Sequence, residues 1–221
     1  MESQSQSESQ PESQPEFDRD NLNEDVVNMR ILWVNELNAP EILRYNEEMV
    51  AEMLEQIRNQ QEYVDSVYED RAQLTEEKSF VNKLYQMEID RLRYTVSSYL
   101  RTRLRKIEKF AIQILSDPTL TQRLSLKERN FAQQFVMLFE SHVNELALNK
   151  FNQEYRSLTD EGMVSEPNLD SFVFCEGKEG AEAVQVDEKG GDFVQMHQAD
   201  RYVLRYRSIK SQVESGKIGL I

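Results

Sequence analysis

Cysteine, histidine and glycine are scarce in this 221-residue chain, and each scarcity excludes a class of site. Cys175 cannot form an internal disulfide, and with only His142 and His197 beside it no zinc-ligand spacing is available. All seven glycines follow residue 161, in turn-like spacings, and no glycine-rich phosphate-binding motif opens a helix. We therefore expect no metal, no cofactor and an ordinary structural role for Cys175.

Long apolar runs and basic residues are also in deficit. No run of 18 apolar residues occurs, and the polar N-terminus has neither the cationic nor the apolar region of a signal peptide. We expect an intracellular protein without a membrane span. The 26 basic residues are outnumbered by 40 acidic ones, and the net charge of −14 disfavours generic binding to DNA. Half of this excess lies in residues 1–25, where eight acids accompany Arg19.

Residues 1–22 are too polar to offset the entropy of ordering, and we predict a disordered acidic tail. Within it Ser3, Ser5, Ser9 and Ser13 each precede a glutamine, an arrangement that resembles the Ser-Gln clusters phosphorylated by checkpoint kinases. Two interpretations stay open. The serines are candidate phosphorylation sites, or the segment is a low-complexity tail that keeps the protein soluble.

Residues 23–152 carry helical periodicity and predict an all-α domain of about four helices, one of them very long. Caps and prolines place the helices at 24–38, 46–68, 75–117 and from 125 onward, the last opened by a capping box of Ser125 and Glu128. The first helix has an expected inner face of Val27, Ile31, Val34 and Leu37. The third would be about 60 Å long, more than the width of a small domain, so we expect its ends to contact another subunit.

The third predicted helix combines an apolar stripe with arginines. Its stripe is spaced by threes and fours and comprises Tyr85, Ile89, Leu92, Val96, Tyr99, Leu100, Ile107, Phe110 and Ile114. Most nearby cations fall on the opposite face, but Arg103 projects near the middle of the stripe and Arg93 at its edge. They could form a basic patch for nucleic acid or reach carboxylates across a subunit interface. We favour the interface, with Arg103 in a buried ion pair.

Helical periodicity disappears toward the C-terminus. Residues 153–167 are a predicted linker, and residues 168–221 a small β-rich domain of short apolar segments separated by glycine turns. The segments lie at 172–174, 183–186, 193–196, 202–206 and 218–221, with a short helix near 208–214. The fold class is thus α plus small β. A domain this small has a marginal core, and we expect it to dock on another surface.

No catalytic pattern accompanies these elements. An enzyme needs a nucleophile with a base, a metal cluster or a phosphate cradle, and the sequence has none of these. The paired acids Glu47-Glu48 and Glu76-Glu77 lie in first turns of helices, where the helix dipole accounts for them. We predict that the protein is not an enzyme.

Four segments become recognisable together: WVNELNAPEIL (33–43), MEIDRLRYTVSSYLRTRLRKIEKF (87–110), LDSFVF (169–174) and YVLRYRSIKSQVESGKIGLI (202–221). In this order they resemble the Sld-five family, a subunit family of the eukaryotic GINS complex. The similarity extends over nearly everything from about residue 25 onward. It implies a helical domain followed by a small β domain, in a noncatalytic subunit that forms a heterotetramer with subunits of the Psf-one, Psf-two and Psf-three types.

The resemblance also implies a place in DNA replication. GINS joins the MCM ring and the Cdc-forty-five protein in the CMG replicative helicase of the nucleus, which needs it for initiation and elongation. Contact with the fork hub that links the helicase to polymerase alpha is implied through the N-terminal region, where the comparable stretch here is Phe17 to Val27.

The subunit-interface candidates come from the arginine-bearing stripe, the aromatic face of the fourth helix and the end of the chain. They are Arg93, Val96, Tyr99, Leu100, Arg103, Ile107, Phe110, Phe135, Phe139, Leu220 and Ile221. Contact with DNA is expected to be indirect or weak. Two alternatives stay open, namely an enzyme of unrecognised type and a helical adaptor that binds nucleic acid directly through Arg91, Arg101, Arg105 and Lys109.

Overall fold

The structure is a computed structural model that describes residues 24–69, 75–152, 158–159, 162–186, 191 and 193–221. The predicted tail with its four serines and part of the predicted linker lie outside the described residues, so the domain boundaries stay predictions. The helical part comprises α1 (Glu24–Asn38), α2 (Glu47–Glu69), α3 (Glu76–Ser116), α4 (Pro118–Thr121), α5 (Leu126–Leu146) and a 3-10 turn (Leu148–Lys150). It is followed by β1 (Phe172–Gly177), β2 (Val184–Gln185), β3 (Phe193–Val194), β4 (Arg201–Arg205), α6 (Tyr206–Glu214) and β5 (Ile218–Leu220).

Local capping signals explain where the long helices begin. The side chain of Asn46 accepts a hydrogen bond from the Met49 amide at 3.1 Å, and the hydroxyl of Thr75 accepts one from the Lys78 amide at 3.2 Å. The predicted capping box at Ser125 is formed in both directions. The four predicted helices are confirmed, and α3 has 41 residues, but its backbone is not helical at Phe110 (φ −120°, ψ 20°), so α3 is kinked there and is not one straight helix of about 60 Å.

Two apolar cores lie along α3. The first is enclosed by α1, α2 and the first half of α3, and it contains Ile89, Leu92, Val96 and Tyr99 of the predicted stripe. The second lies where the end of α3 meets α5, and it contains Ile107, Phe110 and Ile114. The prediction is wrong at Tyr85, which is exposed and contacts the Tyr63 ring edge-on.

The inner face of α1 differs from the prediction. Val27 and Leu37 are exposed, whereas Met29 and Glu36 are buried. Met29 packs in the first core, and Glu36 faces cations of α3. Apolar periodicity alone treats Glu36 as outward-facing, so it places the inner face of α1 on the wrong side of the helix.

The C-terminal part contains a three-stranded antiparallel sheet in the order β4-β1-β5, an antiparallel pair of β2 with β3, and α6. Val173 and Cys175 face the core, whereas Phe172 and Phe174 alternate with them and are exposed. A side chain at Gly177 would collide with the carbonyl oxygen of His197, so the close approach there requires glycine. The fold class predicted from the sequence is confirmed.

The β-rich part docks on the end of α1. Ala39 lies in the same buried cluster as Val173, Cys175 and Ile209. The backbone amide of Leu220 in β5 donates to the side-chain oxygen of Asn35 at 2.7 Å. Part of the docking surface expected for this domain is thus supplied by the chain itself. No helix among the described residues is long and apolar enough to cross a membrane.

Candidate subunit interface and buried ion network

Arg103 lies at the centre of an ion network within the chain. Its side chain is 0% exposed, and all five of its N–H groups have an acceptor. Nε and Nη2 donate to Glu128 at 2.7 and 3.1 Å, and Nη1 donates to Glu36 at 2.9 Å. The remaining hydrogens reach the carbonyl oxygens of Leu43 and Arg123 at 2.8 and 3.1 Å. This complete set of acceptors offsets part of the cost of removing a guanidinium from water.

Lys106 and two tyrosines complete this cluster, which we call the Arg103 network. Lys106 Nζ donates to a carboxylate oxygen of Glu36 at 2.8 Å, so two cations face the two carboxylates of Glu36 and Glu128. The rings of Tyr45 and Tyr99 lie 5.2 and 5.7 Å from the guanidinium carbon, within cation–π range. The network is therefore neutral overall and packed against aromatic faces.

Burial and pairing shift the pKa values in this network in different directions. Burial alone would lower the pKa of Arg103, but the hydrogen bonds with Glu128 and the charge of Glu36 outweigh it and raise the pKa above its ordinary value. For Lys106, burial outweighs the attraction of Glu36 and lowers the pKa. Burial raises the pKa of Tyr99 to about 12. Arg103 consequently remains charged at physiological pH.

Arg103 forms the buried ion pair that the sequence predicts, but the predicted position of this pair at a subunit interface is wrong. Both carboxylates belong to the same chain, Glu36 to α1 and Glu128 to α5, so these contacts do not cross a subunit interface. Arg103 instead ties α1, α3 and α5 together. Arg93 is not embedded beside it. Its side chain is 48% exposed and lies 3.9 Å from Asp90, one turn earlier on the same helix.

The other interface candidates divide by burial. Those buried inside this chain's own cores are Val96, Tyr99, Ile107, Phe110 and Leu220. Packing within the chain leaves these five little surface for a partner. Those with accessible surface are Leu100 and Phe135, which are half-buried, and Phe139 and Ile221, which are exposed. Direct subunit contact stays a prediction for these four residues and for Arg93.

Exposed apolar side chains mark three surfaces. On α5 they include Met137, Leu138 and Leu146, and on the first half of α3 they include Phe80, Leu84, Met87 and Tyr94. The third surface is the outer face of the sheet, with Phe172, Phe174 and Val203. Phe174 pairs directly with Val203 in the register, so these side chains are neighbours. Exposed apolar side chains that adjoin one another, as Phe174 and Val203 do, are typical of interaction sites.

Glu41 connects the helical part to the β-rich part. It lies in the loop after α1 with 3% exposure, and it accepts hydrogen bonds from the Tyr206 hydroxyl at 3.0 Å and from Lys210 Nζ at 2.8 Å. Nη1 of Arg123 lies 3.2 Å from the same carboxylate. Burial, followed by the charge of Glu41, raises the pKa of Tyr206. We call these four residues the Glu41 latch.

In the Arg103 network and the Glu41 latch, each carboxylate is paired with at least one cation. These side chains therefore form fixed ion pairs. Within the described ranges, no group of three or more His, Cys, Asp or Glu side chains is arranged to hold a metal ion. What the arrangement does is hold helices and domains in one geometry while leaving apolar surface outside.

Comparison with known proteins matches both parts of the chain. The Arabidopsis thaliana protein named DNA replication complex GINS protein SLD5 is 35% identical over 205 residues, which is 89% of this chain and 91% of that protein. This chain belongs to the SLD5 family. Proteins of the same name from Dictyostelium discoideum and Homo sapiens are each 31% identical, over 194 and 198 residues. The alignments cover 86% of this chain and 88% and 85% of those proteins.

The SLD5 family models divide the chain as the fold does. Residues 48–147 match the family described as GINS complex protein helical bundle domain, which spans α2 to α5. Residues 167–221 match the SLD5 C-terminus, which spans the sheet and α6.

Three acids are buried among the described residues of this SLD5 chain, Glu36, Glu41 and Glu128, and the sequence did not predict their burial. Glu128 was singled out only as part of a capping box, and Glu36 and Glu41 were not singled out. One signal could have found them, because an arginine centred on an apolar stripe requires buried acceptors. The stretch WVNELNAPEIL (33–43) supplies two acids among apolar residues.

Proposed function

We propose that this chain is the noncatalytic SLD5 subunit of a heterotetrameric GINS complex, alongside subunits of the Psf-one, Psf-two and Psf-three types. The outer face of the sheet carries the proposal, because Phe172, Phe174 and Val203 lie exposed side by side. A chain that works alone rarely exposes such a patch, whereas a subunit buries it against a partner. The names of its relatives, which are GINS proteins of DNA replication, support the same assignment.

The proposal extends to the replication fork. In it the complex joins the MCM ring and the Cdc-forty-five protein in the CMG helicase of the nucleus, and the chain braces its neighbours without a catalytic step of its own. Contact with the hub that links the helicase to polymerase alpha is assigned to residues 17–27, of which residues 17–23 lie outside the described structure.

Substitution on the sheet tests the proposal. The double variant Phe172→Ser and Phe174→Ser should lower recovery of co-expressed GINS subunits by about tenfold or more, because buried aromatic residues dominate interface energies. Phe193→Ser is the matched control, since Phe193 is 61% exposed, as against 64% for Phe174, and lies on β3 outside this sheet. Equal recovery of partners by the double variant and the control would contradict the role of this face.

A second candidate function is direct binding of nucleic acid by α3. The observation that favours it is the exposure of Arg91, Arg101, Arg105 and Lys109 along one helix. Binding of this kind falls steeply as salt rises, because phosphate contacts release counterions. A titration with a single-stranded oligonucleotide that shows no binding, or no dependence on salt, would remove this candidate.

A further inference from the structure

α3 carries a second stripe, opposite its buried one. Its positions alternate by four and three residues, and we call them the outer seam: Phe80, Leu84, Met87, Arg91, Tyr94, Ser98, Arg101 and Arg105. All are exposed except Ser98, which is half-buried. Tyr94 and the buried Arg103 are nine residues apart, which at 100° per residue places them about 180° apart around the helix. The same helix therefore presents one face to its own core and another to solvent.

The first half of the outer seam is apolar. Phe80, Leu84, Met87 and Tyr94 are each about half to two-thirds exposed and span about 21 Å of helix. The charge of Arg91 within this half is offset by Glu88, whose carboxylate lies 2.6 Å from its guanidinium. Spacing by threes and fours is the pattern with which one helix packs against another.

The second half of the outer seam is cationic. Arg101 and Arg105 are one turn apart, and Lys109 follows one turn later, so the three cover about 12 Å. In the part of the chain that the structure describes, none of them has a carboxylate within ion-pair distance. Glu108 shares this end of the helix, and three cations against one acid leave it positive.

We propose that the outer seam binds one helix of a partner protein, apolar along Phe80 to Tyr94 and acidic along Arg101 to Lys109. The inference rests on the proposed function, and it names the chemistry of the partner at one surface. The cations of the outer seam favour an acidic segment in the partner, because opposite charges attract. The exposed apolar half of the seam favours a protein helix over nucleic acid. A phosphate backbone would be matched by cations along the whole stripe, and the net charge of −14 would oppose it.

Charge reversal in the assembled complex tests the inference. Full-length chain carrying Arg101→Glu and Arg105→Glu is co-expressed with the other GINS subunits, and partner recovery is measured at low and high salt. The matched control is Lys127→Glu with Lys150→Glu, which makes the same charge change at exposed positions outside α3. We expect about tenfold lower partner recovery than in the control at low salt, and a smaller difference at high salt.

Photo-crosslinking residues at Met87 and Lys109 give a second measurement. Both should link to the same partner chain, the first to an apolar segment and the second to a segment rich in Asp and Glu. Normal partner recovery by the reversed variant, without crosslinks from either position, would overturn the inference and leave the proposed function standing. Loss of oligonucleotide binding with unchanged partner recovery would overturn it in favour of nucleic acid. A wild-type chain that recovers no partner would overturn both.

Discussion

At the scale of single residues, the position of Arg103 is determined by its acceptors. Two carboxylates and two backbone carbonyls receive its five hydrogens; the carboxylates belong to α1 and α5, and the carbonyls to the loops that follow α1 and α4. A buried charge that loses its partner remains costly, so the members of this network depend on each other.

Arg103→Ala should lower the free energy of unfolding by about 3–5 kcal/mol, because Glu36 and Glu128 would remain buried with one cation fewer. Arg101→Ala is the control. Arg101 is exposed on the same helix, and its loss should change stability by less than about 0.5 kcal/mol. Urea unfolding of the two variants measures the difference, and coincident midpoints would show that the network does not stabilise the fold.

Because Cys175 is buried, we predict that its thiol makes the folded protein less stable in alkali. Burial raises its pKa to about 11 from an ordinary 9.0, so the unfolded chain releases the thiol proton at lower pH than the folded chain. The stability that the buried, protonated thiol contributes to the folded state is complete below pH 9 and is lost as the pH rises toward 11. Lys106, with a lowered pKa, contributes in the opposite direction. Cys175→Ala leaves Lys106 unchanged, so the variant should lose less stability between pH 9 and 11 than the wild type. Parallel urea midpoints across that range would refute the assignment.

At the scale of elements, the Glu41 latch links the loop after α1 to α6, and we expect it to stabilise the docking of the β-rich part. Glu41→Gln removes the negative charge that pairs with Lys210 and Arg123. We therefore expect the β-rich part to separate from the helical part more often. The backbone amide of Leu220 reports this opening, since its hydrogen is donated to the Asn35 side chain across the junction. Its labelling by deuterium exchange should become about tenfold faster.

Glu214→Gln is the matched control for the Glu41 latch. Glu214 also pairs with Arg123, but its side chain is 43% exposed, so its neutralisation should leave the labelling rate nearly unchanged. If Glu41→Gln labelled no faster than this control, the latch would have no role in docking.

The elements also show which features were predictable. Helix ends were predictable because caps and prolines act locally, as at Asn46, Thr75 and Ser125. The burial of Arg103 was predictable from its place on an apolar stripe. Its partners were not, because Glu36 is 67 residues away and a charged residue gives no apolar signal. Contacts of that range depend on how helices pack, which periodicity along one helix does not contain.

At the scale of the whole molecule, the described residues bury two clusters of paired charges, the Arg103 network and the Glu41 latch, and expose many large apolar side chains. The Arg103 network and the Glu41 latch link α1, α3, α5 and α6, while α5, the outer seam and the sheet leave apolar side chains exposed. Internal links of this kind combined with exposed apolar surface suit a subunit that fixes the geometry of its neighbours.

The central claim, that this chain is one subunit of a four-protein assembly, is tested most directly by the mass of the complex that it forms. Full-length chain is co-expressed with the three related GINS subunits, purified through a tag on this chain and measured by native mass spectrometry. The account predicts a single species with one copy of each protein. A soluble, monodisperse monomer that recovers none of the other three proteins would contradict it.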